Sequence, residues 1–109
     1  MSFTIIQAAI KQRRTITFEY SKSGKVQGRR IGNPHAVFEM HLKDGSKLTK
    51  VHIFQTGGVS DSSESLPAFR MFDLPHIINV AISEGPQSFE ISSEYNPDWD
   101  GYRFALIKI

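Results

Sequence analysis

The chain has 109 residues, of which 39% are hydrophobic and 11% aromatic, with a formal net charge of +2. This length and apolar content predict a single domain over residues 1–109 and exclude a disordered chain. The absence of cysteine excludes disulfides, thiolate zinc sites and a cysteine nucleophile, as is typical of a cytoplasmic protein. We also expect no secretory leader and no membrane anchor, since no apolar run approaches about 18 residues.

Positive charge is concentrated in the N-terminal third. Seven basic residues lie between positions 11 and 30 against one acid, whereas acids predominate after Asp73. The basic residues are Lys11, Arg13, Arg14, Lys22, Lys25, Arg29 and Arg30. Although the net charge is too small for a general polyanion binder, this third could face an anion such as a phosphate. The alternative is a merely solvated basic face.

The first elements are a helix and a strand. Apolar residues at Ile6, Ala9 and Ile10 repeat at helical spacing and predict an amphipathic helix over residues 3–14. Residues 15–20 alternate polar side chains with isoleucine, phenylalanine and tyrosine, which predicts a strand.

A hairpin is predicted around Asp44-Gly45, because this dipeptide tolerates the positive φ angles of tight turns. A register that gathers apolar side chains on one face pairs Leu42 with Lys47, Met40 with Thr49, Phe38 with Val51 and Ala36 with Ile53. The other face then carries Glu39 beside Lys50.

The remaining elements are short. Residues 55–65 are rich in Gly and Ser and predict a mobile loop, and residues 77–82 predict another core strand. We expect a short strand at residues 89–91, a turn at 95–101 and an apolar C-terminal segment at 102–109. The predicted fold class is mainly β with one N-terminal helix (α+β), as a small, strongly bent antiparallel β-barrel.

Several short motifs, in this order, resemble the WYL domain. They are Phe18-Glu-Tyr20, Arg30-Ile-Gly-Asn-Pro-His35, Phe54-Gln55 and Phe69-Arg70-Met-Phe72 ahead of Ile77. The likeness covers about residues 5–91 and leaves 92–109 as a C-terminal extension. The literal Trp-Tyr-Leu triplet is absent, because residues 51–54 read Val-His-Ile-Phe. The resemblance implies an Sm-like barrel that senses ligands or binds nucleic acid, commonly attached to bacterial transcription regulators, often in phage defence.

Arg30 and Arg70 are the strongest candidates for ligand binding. A guanidinium held on a strand can grip a phosphate or carboxylate through two parallel hydrogen bonds, and both arginines match the family motif. The alternative is that each arginine pairs with a nearby carboxylate such as Asp73, or lies in solvent.

Three further residues complete the predicted site. His35 follows the rigid Pro34 and could donate to a phosphate or a base edge, although satisfying local backbone groups is an equal alternative. Gln55 could read an amide or a base edge, with a hydrogen bond to loop backbone as the plainer role. Tyr20 could stack on an aromatic ligand or lie at the edge of the core.

Other kinds of site have little support in the sequence. The four histidines lack metal-binding spacing, and the predicted register sets His41 opposite Leu48 and His52 opposite Val37. Asp98 and Asp100 lack the complete calcium-loop pattern, so we expect a solvated turn anchored by a buried Trp99. Neither a catalytic motif nor a cofactor motif is present, so no enzyme is expected.

Two functions are compatible with these observations. The first is a module that senses or sequesters a small anionic ligand, plausibly a nucleotide or short nucleic acid, between Arg30, His35, Gln55 and Arg70. Residues 56–66 would then form a lid. The alternative is a protein-interaction or oligomerisation module, in which residues 102–109 add a strand to a neighbouring subunit. Either function is compatible with the homo-oligomer that we expect.

Overall fold

The computed structural model describes residues 2–61, 65–85 and 87–109. Within these ranges the chain forms one α-helix, six strands of an antiparallel sheet and two short 3-10 helices. The elements are α1 (Ser2–Gln12), β1 (Ile16–Tyr20), β2 (Arg29–His41), β3 (Lys47–Gly58), β4 (Ala68–Asp73), β5 (Ile77–Ile82) and β6 (Ala105–Lys108), with 3-10 helices at Leu74–His76 and Asp100–Tyr102. The prediction of a mainly β fold with an N-terminal helix is confirmed.

The long strand β2 organises the sheet. One of its edges pairs with β3, while the other pairs with β1 through Arg29–Gly32 and with β6 through Ala36–Phe38. The strand order is β4-β3-β2-β1-β5, so β4 and β5 are the edges of the sheet among the described residues. Because this sheet is open, the predicted barrel is not confirmed.

Helix α1 packs its predicted apolar face on the sheet but ends earlier than predicted. Ile6, Ala9 and Ile10 are buried in the main core. The helix ends at Gln12 and not at residue 14, because Arg13 adopts a left-handed conformation with φ of 52°. The amide of Arg14 then donates to the carbonyl of Ala9 at 2.8 Å, which closes the C-terminal turn.

The hairpin between β2 and β3 is confirmed, but its predicted register is wrong by one residue. The observed pairs near the turn are His41–Lys47, Met40–Leu48, Glu39–Thr49, Phe38–Lys50, Val37–Val51 and Ala36–His52. The apolar pattern predicted the wrong register because β2 is buried on both faces from Pro34 to Phe38. Val37 faces the main core, whereas Phe38 joins a second cluster, so neither face is marked by polar residues.

Two other boundary predictions need correction. Residues 55–58 belong to β3 and not to a loop, and Gly58 is required there because a Cβ would overlap the carbonyl of Arg29. Positions 62–64 of the predicted loop lie outside the described residues. Residues 89–91 form no strand, although Phe89 is buried.

The C-terminal segment is part of the folded structure. Strand β6 pairs with β2 of the same chain, and Tyr102 packs with Ala36 and Phe38 in the second core cluster. The interaction hypothesis assigned residues 102–109 to a neighbour, whereas here residues 105–108 already have an internal partner. Across the three described ranges, no helix has the length and apolar character that crossing a membrane requires.

Candidate functional site

A polar cavity of about 320 Å³ lies where the end of β1, the start of β2, and strands β3 and β4 meet. We call it the basic hollow. It is lined by Tyr20, Lys22, Lys25, Arg30, Lys50, Asp61, Arg70, Met71, Phe72 and Asp73. Three of the five predicted site residues, Tyr20, Arg30 and Arg70, therefore share one cavity.

Arg30 lies in the interior wall of the basic hollow and is 1% exposed. Its Nη2 donates to the carbonyl of Val26 at 3.0 Å and to Oδ2 of Asp61 at 2.8 Å. The guanidinium carbon also lies 5.8 Å from the ring centre of Tyr20 and 5.4 Å from that of Phe72. Such aromatic contacts help to hold a buried cation in a fixed orientation.

Asp61 is the carboxylate partner that the sequence did not identify for Arg30. Burial by itself would raise the pKa of Asp61, but hydrogen bonds from the Val26 amide and from Arg30 outweigh it and lower the pKa. The ion pair therefore stays charged at neutral pH. The alternative in which Arg30 pairs with an acid is correct in kind, with Asp61 in place of Asp73.

Asp73 instead joins two lysines across the hollow. Its Oδ2 accepts a hydrogen bond from Lys22 at 2.7 Å, and its Oδ1 accepts one from Lys50. Burial would raise the pKa of Asp73, but these two hydrogen bonds outweigh it and the pKa is lowered. The backbone amide of Asp73 also donates to the hydroxyl of Tyr20 at 2.9 Å, so this corner of the hollow is held by three partners.

Arg70 enters the hollow from β4, where it pairs with Ile53 of β3. Its Nη1 donates to the carbonyl of Phe69 at 3.3 Å. Tyr20, by contrast, is only 4% exposed and packs edge-on against Phe72 at 4.9 Å. The core-edge alternative therefore describes Tyr20 better than a stacking platform does.

His35 does not line the basic hollow. It is fully buried, its Nδ1 lies 2.8 Å from the carbonyl of Asn33, and its Nε2 accepts the Ser92 amide at 3.1 Å. Burial lowers the pKa of His35, so the ring is neutral at physiological pH. This geometry agrees with the alternative that its ring nitrogens satisfy backbone groups.

Gln55 is also absent from the lining of the basic hollow. Its side chain is fully buried, and its Nε2 donates to the carbonyls of Gly57 at 3.0 Å and Val59 at 2.7 Å. Gln55 therefore supports the end of β3 through hydrogen bonds to backbone, which is the plainer of the two roles predicted for it. Residues 56–58 of the predicted lid belong to β3 and residues 62–64 lie outside the described ranges, so a lid over residues 56–66 stays a prediction.

A second cavity, of about 330 Å³, was missed by the sequence reasoning. We call it the aromatic hollow, and it is lined by His52, Phe69, Glu94, Tyr95, Asn96, Trp99 and Tyr102. Trp99 was predicted to be buried, but it is 40% exposed. Its indole lies across Gly101, where a Cβ would overlap the ring. The only sequence signal was the density of aromatic residues between positions 95 and 102.

The histidines contribute no metal site within the described ranges, where no cluster of three or more potential ligands occurs. The corrected register sets His41 opposite Lys47 and His52 opposite Ala36. His35 and His52 both lie near Phe69, with ring centres 5.0 and 6.1 Å from that of Phe69. Burial, and to a lesser extent His35, lowers the pKa of His52 to about 4.

Comparisons with known proteins do not add to this geometry. The chain matches no family model, and no curated protein or solved structure matches it at a significant level. The two hollows and the sequence motifs are therefore the basis for assigning a function to the chain.

Proposed function

We propose that the chain is a binding module for a small anionic ligand, with the basic hollow as its site. One observation carries this proposal: five cationic side chains line a single cavity, together with only two carboxylates among the described residues. Counted over these described lining residues, the formal excess is three positive charges. A volume of about 320 Å³ lies at the lower end of the range for small-molecule sites.

The chemistry of the hollow favours a phosphate or pyrophosphate group. Arg70 presents a planar guanidinium group and Lys22, Lys25 and Lys50 act as point charges around it. Arg30 is 1% exposed and adds its charge from the interior wall. The aromatic rings of Tyr20 and Phe72 are 4% and 3% exposed, so they offer little surface for stacking a base. A nucleotide or short nucleic acid would therefore be bound mainly through its phosphates.

The two carboxylates hold the cations in position before a ligand arrives. Asp61 orients Arg30, and Asp73 holds Lys22 and Lys50. A phosphate entering the hollow competes with these carboxylates for the same donors. We therefore expect modest affinity that falls as salt concentration rises.

The test is thermal stabilisation of the full chain at low ionic strength by inorganic phosphate, pyrophosphate, ATP and a short single-stranded RNA. At least one of these probes should raise the melting temperature in a saturable manner. Arg70→Ala and Lys25→Gln should weaken binding by roughly tenfold or more, because charge-assisted hydrogen bonds each contribute about 1.5–3 kcal/mol.

Lys43→Gln is the matched control, because it removes one lysine from the exposed turn of the hairpin, outside the hollow. It should bind the probes as the native chain does. Equal loss in Lys25→Gln and Lys43→Gln would indicate a general charge effect and overturn the site. An absence of stabilisation by all four probes would overturn the proposed function.

Membership of the WYL family and an Sm-like fold belong to this proposal and are supported by the motif order alone. The same holds for a cytoplasmic role in bacterial or phage regulation or defence, and for a homo-oligomeric state.

The alternative of an interaction module has one favourable observation. The edge strands β4 and β5 carry Met71 and Ile78, each 40% exposed, and sheet edges can pair with other chains. Light scattering over a range of concentrations tests self-association through these edges, and the thermal-stabilisation assay above tests ligand binding separately.

A further inference from the structure

The rings that line the aromatic hollow pack against one another, mostly edge to face. The rings of Trp99 and Tyr102 are 5.1 Å apart at 88°, and those of His52 and Tyr102 are 5.5 Å apart at 79°. Tyr95 lies 5.9 Å from Tyr102 at 44°. These contacts make one continuous apolar wall, and Trp99, at 40% exposed, is its most accessible ring.

The charge of the aromatic hollow is negative. Glu94 is exposed at its rim and forms no ion pair with any residue in the described ranges. Nδ1 of His52 shares a hydrogen bond of 2.7 Å with the hydroxyl of Tyr102. Burial lowers the pKa of His52 to about 4 and raises that of Tyr102 to about 12, so both side chains are neutral at physiological pH.

Electron-rich ring faces together with one carboxylate attract a cation. A primary ammonium would lose its strong hydration on entering such an apolar space, whereas methyl groups on the nitrogen reduce that hydration and contact the apolar wall. We propose that the hollow formed by Trp99, Tyr102 and Glu94 binds a methylated ammonium group. The source is either a free quaternary amine or a methylated lysine side chain.

This inference is independent of the proposed anion site, because the two hollows share no lining residue. Trp99 is the only tryptophan in the chain, so its fluorescence reports directly on the aromatic hollow. The emission of the full chain is measured during titration with choline at constant ionic strength. Its neutral carbon analogue, 3,3-dimethyl-1-butanol, has the same shape without the charge.

Choline should change the Trp99 emission in a saturable manner and bind at least about threefold more tightly than the neutral analogue. Glu94→Gln, which keeps the shape of the side chain, should reduce choline affinity by a similar factor. Glu84→Gln is the matched control, since it removes an exposed carboxylate that does not line the hollow. Equal binding of choline and its neutral analogue would overturn the proposal, as would native affinity in Glu94→Gln.

A second variant tests the wall without changing any lining residue. In Gly101→Ala the new methyl would overlap the indole of Trp99 and displace it. We expect a folded protein by circular dichroism that has lost choline binding. Unchanged choline binding in this variant would contradict the assignment of Trp99 to the wall of the binding site.

Peptides distinguish the two sources of the ligand. A short peptide with trimethyllysine that binds more tightly than choline, when the unmethylated peptide does not bind, supports a methylated protein as the partner. Choline that binds as tightly as the methylated peptide supports a free quaternary amine. Tight binding of the unmethylated peptide overturns the proposal.

Discussion

Arg13 is held in a backbone conformation that costs free energy for any residue with a side chain. Its φ of 52° lies in the left-handed region, immediately after helix α1. Glycine is the usual residue at this position of a helix C-terminus. The carbonyl of Arg13 accepts a hydrogen bond from the amide of Phe89 at 2.7 Å, so this conformation also anchors the segment at Phe89.

Arg13→Gly should raise the free energy of unfolding by up to about 1 kcal/mol. The left-handed conformation costs a side-chain-bearing residue roughly 1–2 kcal/mol, and the extra freedom of glycine in the unfolded chain offsets part of the gain. The control is Arg103→Gly, at an ordinary φ of −61°, which should lower stability by about 0.5–1 kcal/mol. Urea denaturation measures the free energy of unfolding of both variants. A change of the same sign in both would contradict the cost assigned to the left-handed conformation of Arg13.

At the level of elements, β2 connects the two parts of the core. Its residues Val37 and Phe38 point to opposite faces, and both are fully buried. Because a one-residue shift moves every side chain to the other face, register can be predicted only where one face is polar. The hairpin could therefore be predicted from Asp44-Gly45, whereas its register could not.

Strand β6 should stabilise the fold through one face only. Ile107 pairs with Val37 and packs on the main core, whereas Leu106 is 50% exposed. Ile107→Ala should lower the free energy of unfolding by about 1–3 kcal/mol, because it removes half-buried methyl groups and leaves a void. Leu106→Ala should change it by less than about 0.5 kcal/mol. Urea denaturation with equal losses in both variants would contradict the observed pairing of β6.

The whole molecule places its two hollows on different parts of the sheet. Charges cluster around the start of β2, where Arg30 meets residues from the turn before it, from β3 and from β4. Aromatic rings cluster around Phe38 and Tyr102, where β6 and the preceding turn cover β2. Each hollow therefore depends on contacts between residues far apart in the chain.

Global stability should fall as pH decreases from about 6.5 to 4. His52 has a pKa of about 4 in the folded protein and about 6.5 when unfolded, so the unfolded chain binds more protons in this window. The stability contributed by keeping His52 neutral is fully present above pH 6.5 and is lost as pH falls towards 4. It amounts to at most about 3 kcal/mol. His35, whose pKa is also lowered, adds to the same trend.

The measurement is urea denaturation of the native chain and of His52→Gln at several pH values. The variant should show a flatter dependence of stability on pH between 4 and 6.5. His41→Gln, which also removes one histidine, serves as the control because its side chain is 41% exposed. Equal flattening in both variants would contradict the assignment to His52.

The candidate site could be predicted in part. Arg30, Arg70 and Tyr20 line one hollow because the sheet brings the end of β1, the start of β2 and strand β4 together. The sequence offered backbone hydrogen bonds as one alternative for His35 and Gln55 but could not choose between the alternatives, since the choice depends on which side chains the strands turn towards the hollow and, for His35, on the distant Ser92 amide. Asp61 and Asp73 were equally hard to assign, because the choice between arginine and lysine partners depends on how the strands are placed.

The sequence by itself determined the mainly β architecture with one N-terminal helix, the apolar face of α1 and the presence of the hairpin. These features depend on the spacing of side chains along the chain and on local turn chemistry. Only the tertiary structure decided the register of β2, the internal pairing of β6 and the composition of the two hollows. These depend on contacts between distant residues, which no local pattern specifies when a strand is buried on both faces.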